Sequence, residues 1–384
     1  MTNAPVRRLR PDASTRRQFL KTLSRGVGGA ALAASAAPLV GRAASPEPDP
    51  VGIALVGLGN YATGQLAPAL QETTKCELTG IVTGTPSKAE TWTEKYDLPE
   101  ENVYDYDTYD RIADNDDIDV VYVVLPNAMH AEYTIRAAEA GKHVICEKPM
   151  ATSAQACEDM IAACERAGVK LSIGYRLHFQ PHHQRAMTLG QDEVFGPVTV
   201  MQNGFGFRIS DEATDQPHIE WRLDEDMAGG GALMDVGIYA IQGARYVTGE
   251  EPVAVTAHEY NTRPEVFSEV DETIFFQLEF PGGTVVDGST SYNGNFNRLY
   301  ATATDGWFEV RPAYGYGGVE GRTHEGPMGL NNVNQQARQM DAFAECIRQD
   351  RPSRVSGEEG LRDLRVIEAI YESIADGGRR VEVS

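Results

Sequence analysis

Val51-Gly-Ile-Ala-Leu-Val-Gly57-Leu-Gly59-Asn-Tyr-Ala62 is the stretch on which the fold turns. Its first six residues are apolar or small, the texture of a strand buried on both faces within a parallel sheet. They run directly into Gly57-x-Gly59-x-x-Ala62, with a helical stretch to about residue 72. Gly57 permits the tight turn and Gly59 lets the backbone approach a pyrophosphate. Ala62 allows close helix–strand packing, with the anion on the helix N-terminus. Leu58, Asn60 and Tyr61 complete the turn and join the two glycines as candidate cofactor contacts.

Outward from this point, strand patterns recur at 77–83, 120–125, 143–147 and 170–174. Helical patterns fall between them at 88–96, 108–114, 128–140 and 152–167. Such alternation predicts an α/β fold, with a doubly wound parallel sheet of the Rossmann type over 51–174. Beyond it the segments 198–207, 253–260, 273–280, 284–292, 299–304 and 307–310 are linked by turn residues such as Pro281-Gly-Gly283 and Asp305-Gly306. They predict an α+β domain over 175–384, built on an open, mainly antiparallel sheet. Helical patterns at 333–349 and 357–376 close the chain, and at least one is expected to return to the first domain.

The end of the second strand tells which dinucleotide is expected. Gly80-Ile-Val-Thr83-Gly-Thr-Pro-Ser-Lys88 offers hydroxyls and a lysine, and no carboxylate before Glu90. NAD sites hold the ribose hydroxyls with an acid, so Thr83 and Lys88 favour a 2′-phosphate and hence NADP over NAD.

The 384 residues carry 56 acidic against 34 basic side chains, a formal charge of −22. That balance disfavours nucleic acid and anionic membrane surfaces as partners, both of which select a basic footprint. Over residues 1–44 the balance reverses: Arg7, Arg8, Arg10, Arg16, Arg17, Lys21, Arg25 and Arg42 face only Asp12. The body is therefore more acidic than the total, and only six lysines follow residue 44. Few lysines among many carboxylates suit a high-salt medium, where ions screen self-repulsion.

Arg16-Arg17-Gln-Phe-Leu-Lys21, a weakly apolar run over 26–40 and Arg42-Ala43-Ala44 resemble a twin-arginine signal peptide. The resemblance implies export in the folded state to a periplasmic or other extracytoplasmic location, with no membrane contact in the mature form. Residues 45–50, Ser-Pro-Glu-Pro-Asp-Pro, read as a short linker. The five cysteines show neither a complete disulfide framework nor zinc spacing, and Cys146 reads as a packing residue. His178, His182 and His183 read as loop residues with no metal role.

Further motifs gather at the strand ends: Leu125-Pro126-Asn127-Ala-Met-His130, Glu147-Lys148-Pro149 and Gly174-Tyr175-Arg176. In the second domain Trp221-Arg222 precedes Gly229-Gly-Gly231-Ala-Leu-Met-Asp235-Val-Gly237-Ile-Tyr239. Asp235 and Tyr239 are four residues apart, which places carboxylate and phenol on one helix face. Oxidising an alcohol needs a hydride acceptor and a base, and an ammonium such as Lys148 near the phenol would favour its phenolate.

In combination these motifs resemble the Gfo/Idh/MocA oxidoreductases, and among them the periplasmic glucose–fructose oxidoreductases, over about 51–379. The resemblance implies cofactor contacts at Leu125, Pro126, Asn127, His130, Glu147, Lys148, Arg176, Trp221 and Arg222. It implies substrate contacts at Tyr175, Lys148, Asp235 and Tyr239, with Lys148, Asp235 and Tyr239 catalytic. Tyrosine at 239, where many relatives carry histidine, is what the sugar-oxidising branch has. The expected reaction oxidises an aldose at C1 to the lactone, with hydride passing to tightly bound NADP that a second sugar reoxidises. Homodimers or homotetramers assembled through the open sheet are also implied. One departure is plain: the glucose–fructose enzymes carry an extended arm before the first strand, and here only 45–50 occupy its place. Two alternatives follow, an NADP-dependent aldose dehydrogenase with exchangeable cofactor and an NAD-dependent glycosidase. The 83–88 segment argues against the second.

Overall fold

The computed structural model describes residues 48–384. The expected leader over 1–44 and residues 45–47 of the linker lie outside the described residues. β1 (Val51–Val56) is buried at all six positions, as a central strand must be. It is flanked by β2 (Cys76–Val82) and β4 (Val120–Val123), and all pairings in this sheet are parallel. With β3 (Val103–Tyr104), β5 (His143–Cys146) and β6 (Leu171–Ile173), the order is β3-β2-β1-β4-β5-β6. The order reverses beside β1, which opens a crevice at the carboxyl ends of β1 and β4 where such sheets bind ligands.

The helix after β1 opens as a π turn, Ala62–Leu66, and continues as an α turn, Ala67–Leu70. Pro68 lacks the amide that an unbroken α ladder would use, and the wider turn precedes it. The expected helix over 108–114 is instead a 3₁₀ stretch, Tyr109–Asp114, whose spacing of three buries Tyr109 and Ile112 together. β3 has only two residues, too few for an alternation to be read.

The second sheet contains β7 (Val198–Gly206), β8 (Ala254–Tyr260), β9 (Thr273–Glu279), β10 (Val285–Ser291), β11 (Phe296–Ala303) and β12 (Gly306–Val310). The short strands β13 (Gly321–Thr323), β14 (Gly326–Pro327) and β15 (Val381–Glu382) extend it to nine. Its pairings are antiparallel except that of β7 with β10. In β9, Ile274, Phe276 and Leu278 are buried while Phe275 and Gln277 are exposed, the alternation of a sheet covered on one face.

Both closing helices pack back on the first sheet's domain, and the second also reaches the other sheet. Ala337, Met340, Phe343 and Ala344 of the Gln335–Arg348 helix pack in one core cluster with Val51, Ile53 and Leu55 of β1. The Gly357–Ala375 helix contacts β6 on one side and β8 on the other. A helix over Pro181–Gln191 replaces the expected loop around the histidines, with Pro181 at its first position and Gln180 capping it. His182 and His183 are buried there, and the His183 Nε2 lies 2.8 Å from the Ala313 carbonyl.

Candidate active site

Gly57 adopts φ +93°, and a Cβ there would meet the Val124 carbonyl at 2.4 Å, so this turn accepts only glycine. Gly59 differs: a Cβ would meet nothing within 4 Å, and Gly59 and Asn60 are exposed. Neither the Leu58 nor the Gly59 amide donates to a backbone acceptor among the described residues. Open space, free amides and a helix N-terminus in one place fit a dinucleotide pyrophosphate. At the far end of β2 the Thr83 hydroxyl is buried and accepts from the Thr85 amide at 3.2 Å. Lys88 is exposed in the first turn of the Pro86–Tyr96 helix and makes no ion pair among the described residues.

The second helix of the site also begins with a π turn, Leu233–Gly237, followed by Ile238–Thr248. Its start is fixed by Asp271, a buried carboxylate that accepts from the Gly231 amide at 2.7 Å, the Leu233 amide at 2.8 Å and the Tyr371 hydroxyl at 2.6 Å. Gly231 must be glycine, because a Cβ would lie 2.0 Å from the Asp271 carbonyl. From this turn Asp235 projects toward Lys148. The Lys148 Nζ donates to the Asp235 carbonyl at 2.6 Å and to its Oδ1 at 3.1 Å. Oδ2 accepts from the Arg222 Nε at 3.2 Å and the Tyr292 hydroxyl at 3.1 Å. Burial alone would push the Asp235 carboxyl up, but Lys148 and Arg222 outweigh it and hold the group well below the usual carboxylate range. Burial would likewise push the Lys148 ammonium down; Tyr239 and Asp235 prevail, and it stays charged.

Lys148 lies over the Tyr239 ring, 4.9 Å from its centroid, rather than at the hydroxyl. The cation at the phenol oxygen is Arg176, whose Nη2 donates to it at 3.4 Å. Arg176 is itself buried, held by Gln335, the Tyr314 carbonyl and the Gly315 carbonyl. Tyr239 is thus flanked by two cations from the first sheet's strand ends, one on its face and one at its oxygen.

Other expected contacts fall elsewhere. Tyr175 is turned away from the site: it sits at the start of the 3₁₀ turn Arg176–Phe179, and with Arg176 inward its buried phenol enters the core beside Asp363 and Tyr246. Its expected place as a substrate contact is thus taken by core packing. The two His130 nitrogens each lie 2.8 Å from a carbonyl, of Pro149 and of Leu125, so the ring braces the 125–130 loop against Lys148–Pro149 with both nitrogens engaged. The Asn127 amide nitrogen donates to the Ala228 carbonyl and ties this loop to the glycine run. Pro126 precedes it in the same loop. Glu147 is buried, accepting from the Tyr122 hydroxyl at 2.7 Å; burial pushes its carboxyl up. Trp221 stacks under Arg222, 4.4 Å from the guanidinium carbon. Cys146 is buried and burial raises its thiol well above the ordinary value, consistent with packing.

Sequence reasoning missed Tyr292, Tyr314 and Tyr316. The alternation Tyr314-Gly-Tyr316-Gly-Gly318 was the available signal, but it sits far along the chain from every motif it joins.

A parallel sheet with a dinucleotide turn at its switch point, facing a site with three cations, a carboxylate and a phenol, defines a nicotinamide-dependent oxidoreductase. The family models agree. Residues 51–175 match an oxidoreductase family with NAD-binding Rossmann fold, 183–311 the GFO/IDH/MocA C-terminal domain, and 328–383 an oxidoreductase C-terminal alpha/beta domain. The chain belongs to the Gfo/Idh/MocA oxidoreductase family. It is 31% identical over 332 residues to a D-xylose 1-dehydrogenase [NADP(+)] of Haloarcula marismortui, covering 85% of this chain and 91% of that one. It is also 31% identical over 339 residues to D-xylose 1-dehydrogenase (NADP(+)) 2 of Haloferax volcanii, covering 86% and 98%. Among solved structures, an aldose-aldose oxidoreductase from Caulobacter crescentus complexed with glycerol superposes with TM-score 0.83 at 46% identity, covering 87% and 99%.

Proposed function

We propose that the protein oxidises an aldose at C1 to its lactone with NADP as hydride acceptor, and that NADP stays bound until a second sugar takes the hydride back. The observation that carries this reading is Tyr239 between Lys148 and Arg176, beside an ionised Asp235 carboxylate paired with Lys148 and Arg222. Similarity to an aldose-aldose oxidoreductase and to NADP-dependent xylose dehydrogenases supports the substrate class and the cofactor. A bound nicotinamide would supply the hydride acceptor for oxidation at C1 and the hydride donor for reduction of a second sugar's carbonyl carbon.

The chain's own residues handle protons and position. Tyr239, as the phenolate whose charge Arg176 and Lys148 meet in a site largely shut off from water, receives the C1 hydroxyl proton and becomes the neutral phenol. In the return direction Tyr239 gives this proton to the carbonyl oxygen being reduced. Ionised Asp235 accepts hydrogen bonds only, so it selects and orients sugar hydroxyls while restraining Lys148. Thr83 and Lys88 are the groups available to the 2′-phosphate.

Incubating the protein as purified with glucose and fructose, or two aldoses, without added cofactor tests the reading. Sugar acid and alditol are expected in equal amounts. Product only on adding NADP would support the second reading, an exchangeable-cofactor dehydrogenase, which the xylose dehydrogenase relatives and the short 45–50 segment favour. Cleavage of a nitrophenyl glycoside would indicate glycosidase chemistry instead.

Two further parts of the reading concern place and assembly. Export follows from Arg16-Arg17, and cell fractionation should find the protein outside the cytoplasm but retained when both arginines become lysine. Homodimers or homotetramers would cover the open sheet face, where Val200, Tyr260, Phe275 and Val285 are exposed; Phe275→Glu should lower the mass measured by light scattering.

A further inference from the structure

Between the buried residues Tyr314 and Val319 the chain rises in a short arch, Gly315-Tyr316-Gly317-Gly318. Both feet are fixed. The Tyr314 hydroxyl bonds to Asn203, and the Gly315 carbonyl accepts from Arg176 at 3.1 Å and Gln335 at 3.2 Å. At the other foot Asn332 bonds both the Val319 amide, at 3.1 Å, and its carbonyl, at 2.9 Å. The crest is free by contrast: a Cβ on Gly317 or Gly318 would touch nothing within 4 Å, and Gly318 has φ +66°. Tyr316 stands on this crest, still 49% exposed. Its ring reaches across to Tyr61 of the dinucleotide turn, centroids 5.8 Å apart, and covers the Arg176 guanidinium at 4.5 Å. The Tyr61 hydroxyl accepts from the Gln336 side-chain amide at 3.4 Å. Two aromatic rings, one from each sheet's domain, therefore meet across the ground between the Gly57–Gly59 turn and the Lys148 site.

We propose that Tyr316 and Tyr61 form a clasp over the nicotinamide end of the dinucleotide, and that this contact sets how fast NADP leaves. The inference rests on the bound-cofactor reading for its purpose, but not for its test. The clasp uses a ring on a glycine arch that can lift without moving either foot. An aromatic contact plus a cation–π contact amounts to about a tenfold change in a release rate.

The test loads the protein with NADPH, adds excess NADP⁺ as a trap and follows loss of bound-NADPH fluorescence, with circular dichroism to confirm folding. Tyr316→Ala should release NADPH about tenfold faster, while Tyr316→Phe, which keeps the ring, should stay near wild type. Tyr61→Ala and Tyr316→Ala should not be additive, since each removes the same contact. Folded Tyr316→Ala releasing at the wild-type rate overturns the clasp, and slow release by both proteins would leave the bound-cofactor reading intact. Rapid release by wild type with faster release still by Tyr316→Ala supports the clasp and sinks the bound-cofactor reading.

Discussion

At the scale of single residues, the site depends on one carboxylate serving three donors. Asp235 is bound by Lys148, Arg222 and Tyr292, and it was legible in the sequence because it follows a glycine run at the mouth of the fold. Its partners were only partly legible: Lys148 precedes a proline at a strand end, whereas nothing near Tyr292 marks it. Because its carboxyl is held below the ordinary value of 3.8, Asp235 contributes stability above that pH, lost as pH falls through its lowered folded value. Asp235→Asn leaves two partly buried cations uncompensated. Its stability deficit against wild type, measured by urea unfolding, should be full at pH 7 and shrink as pH falls below 3.8. Tyr239→Phe keeps the ring but removes the hydroxyl proposed as proton acceptor, so kcat should fall by about 10²–10⁴-fold. NADPH binding, followed by fluorescence titration, should be little changed.

At the scale of elements, helix starts decide where the chemistry stands. Both functional helices open with π turns, over Ala62–Leu66 and Leu233–Gly237, where a wider pitch re-aims side chains. The helices themselves were readable, but the π turns were not, since they come from local hydrogen-bond compromises and have no periodic signature. Asp271 fixes the second start from a distant position, just before β9, by satisfying two amides that the helix leaves orphaned. Asp271→Ala should therefore cost about 1–3 kcal/mol by urea unfolding, the penalty for leaving buried donors unpaired. The activity remaining should fall as well, because Asp235 moves with this turn.

For the whole molecule, charge and packing pull in different directions. A formal charge of −22 in 384 residues opposes compactness by self-repulsion. Inside, the sheets are joined by apolar helices and by a buried ionic knot, where Arg245 bonds Asp363 at 2.7 Å and Glu359 at 3.0 Å, linking the Ile238–Thr248 and Gly357–Ala375 helices. Screening should relieve the surface repulsion and leave this knot untouched, since buried pairs feel salt weakly. The melting temperature should accordingly rise with potassium chloride from about 0.1 M to 1 M. A flat or falling trend would remove the argument from acidity to a saline medium.

The sequence by itself determined the parallel sheet, the dinucleotide turn, the second sheet and the identities of Lys148, Asp235 and Tyr239. Each is encoded locally, in a strand pattern, a glycine spacing or a four-residue interval. The tertiary structure alone decided that Arg176 and not Tyr175 faces the phenol, that His130 is a brace, that Lys148 is bound to Asp235, and that Tyr316 lies against Tyr61. These are meetings between residues far apart in the chain. Which of two neighbouring side chains turns inward, and what it finds there, is set by packing across domains, for which no local spacing carries a signal.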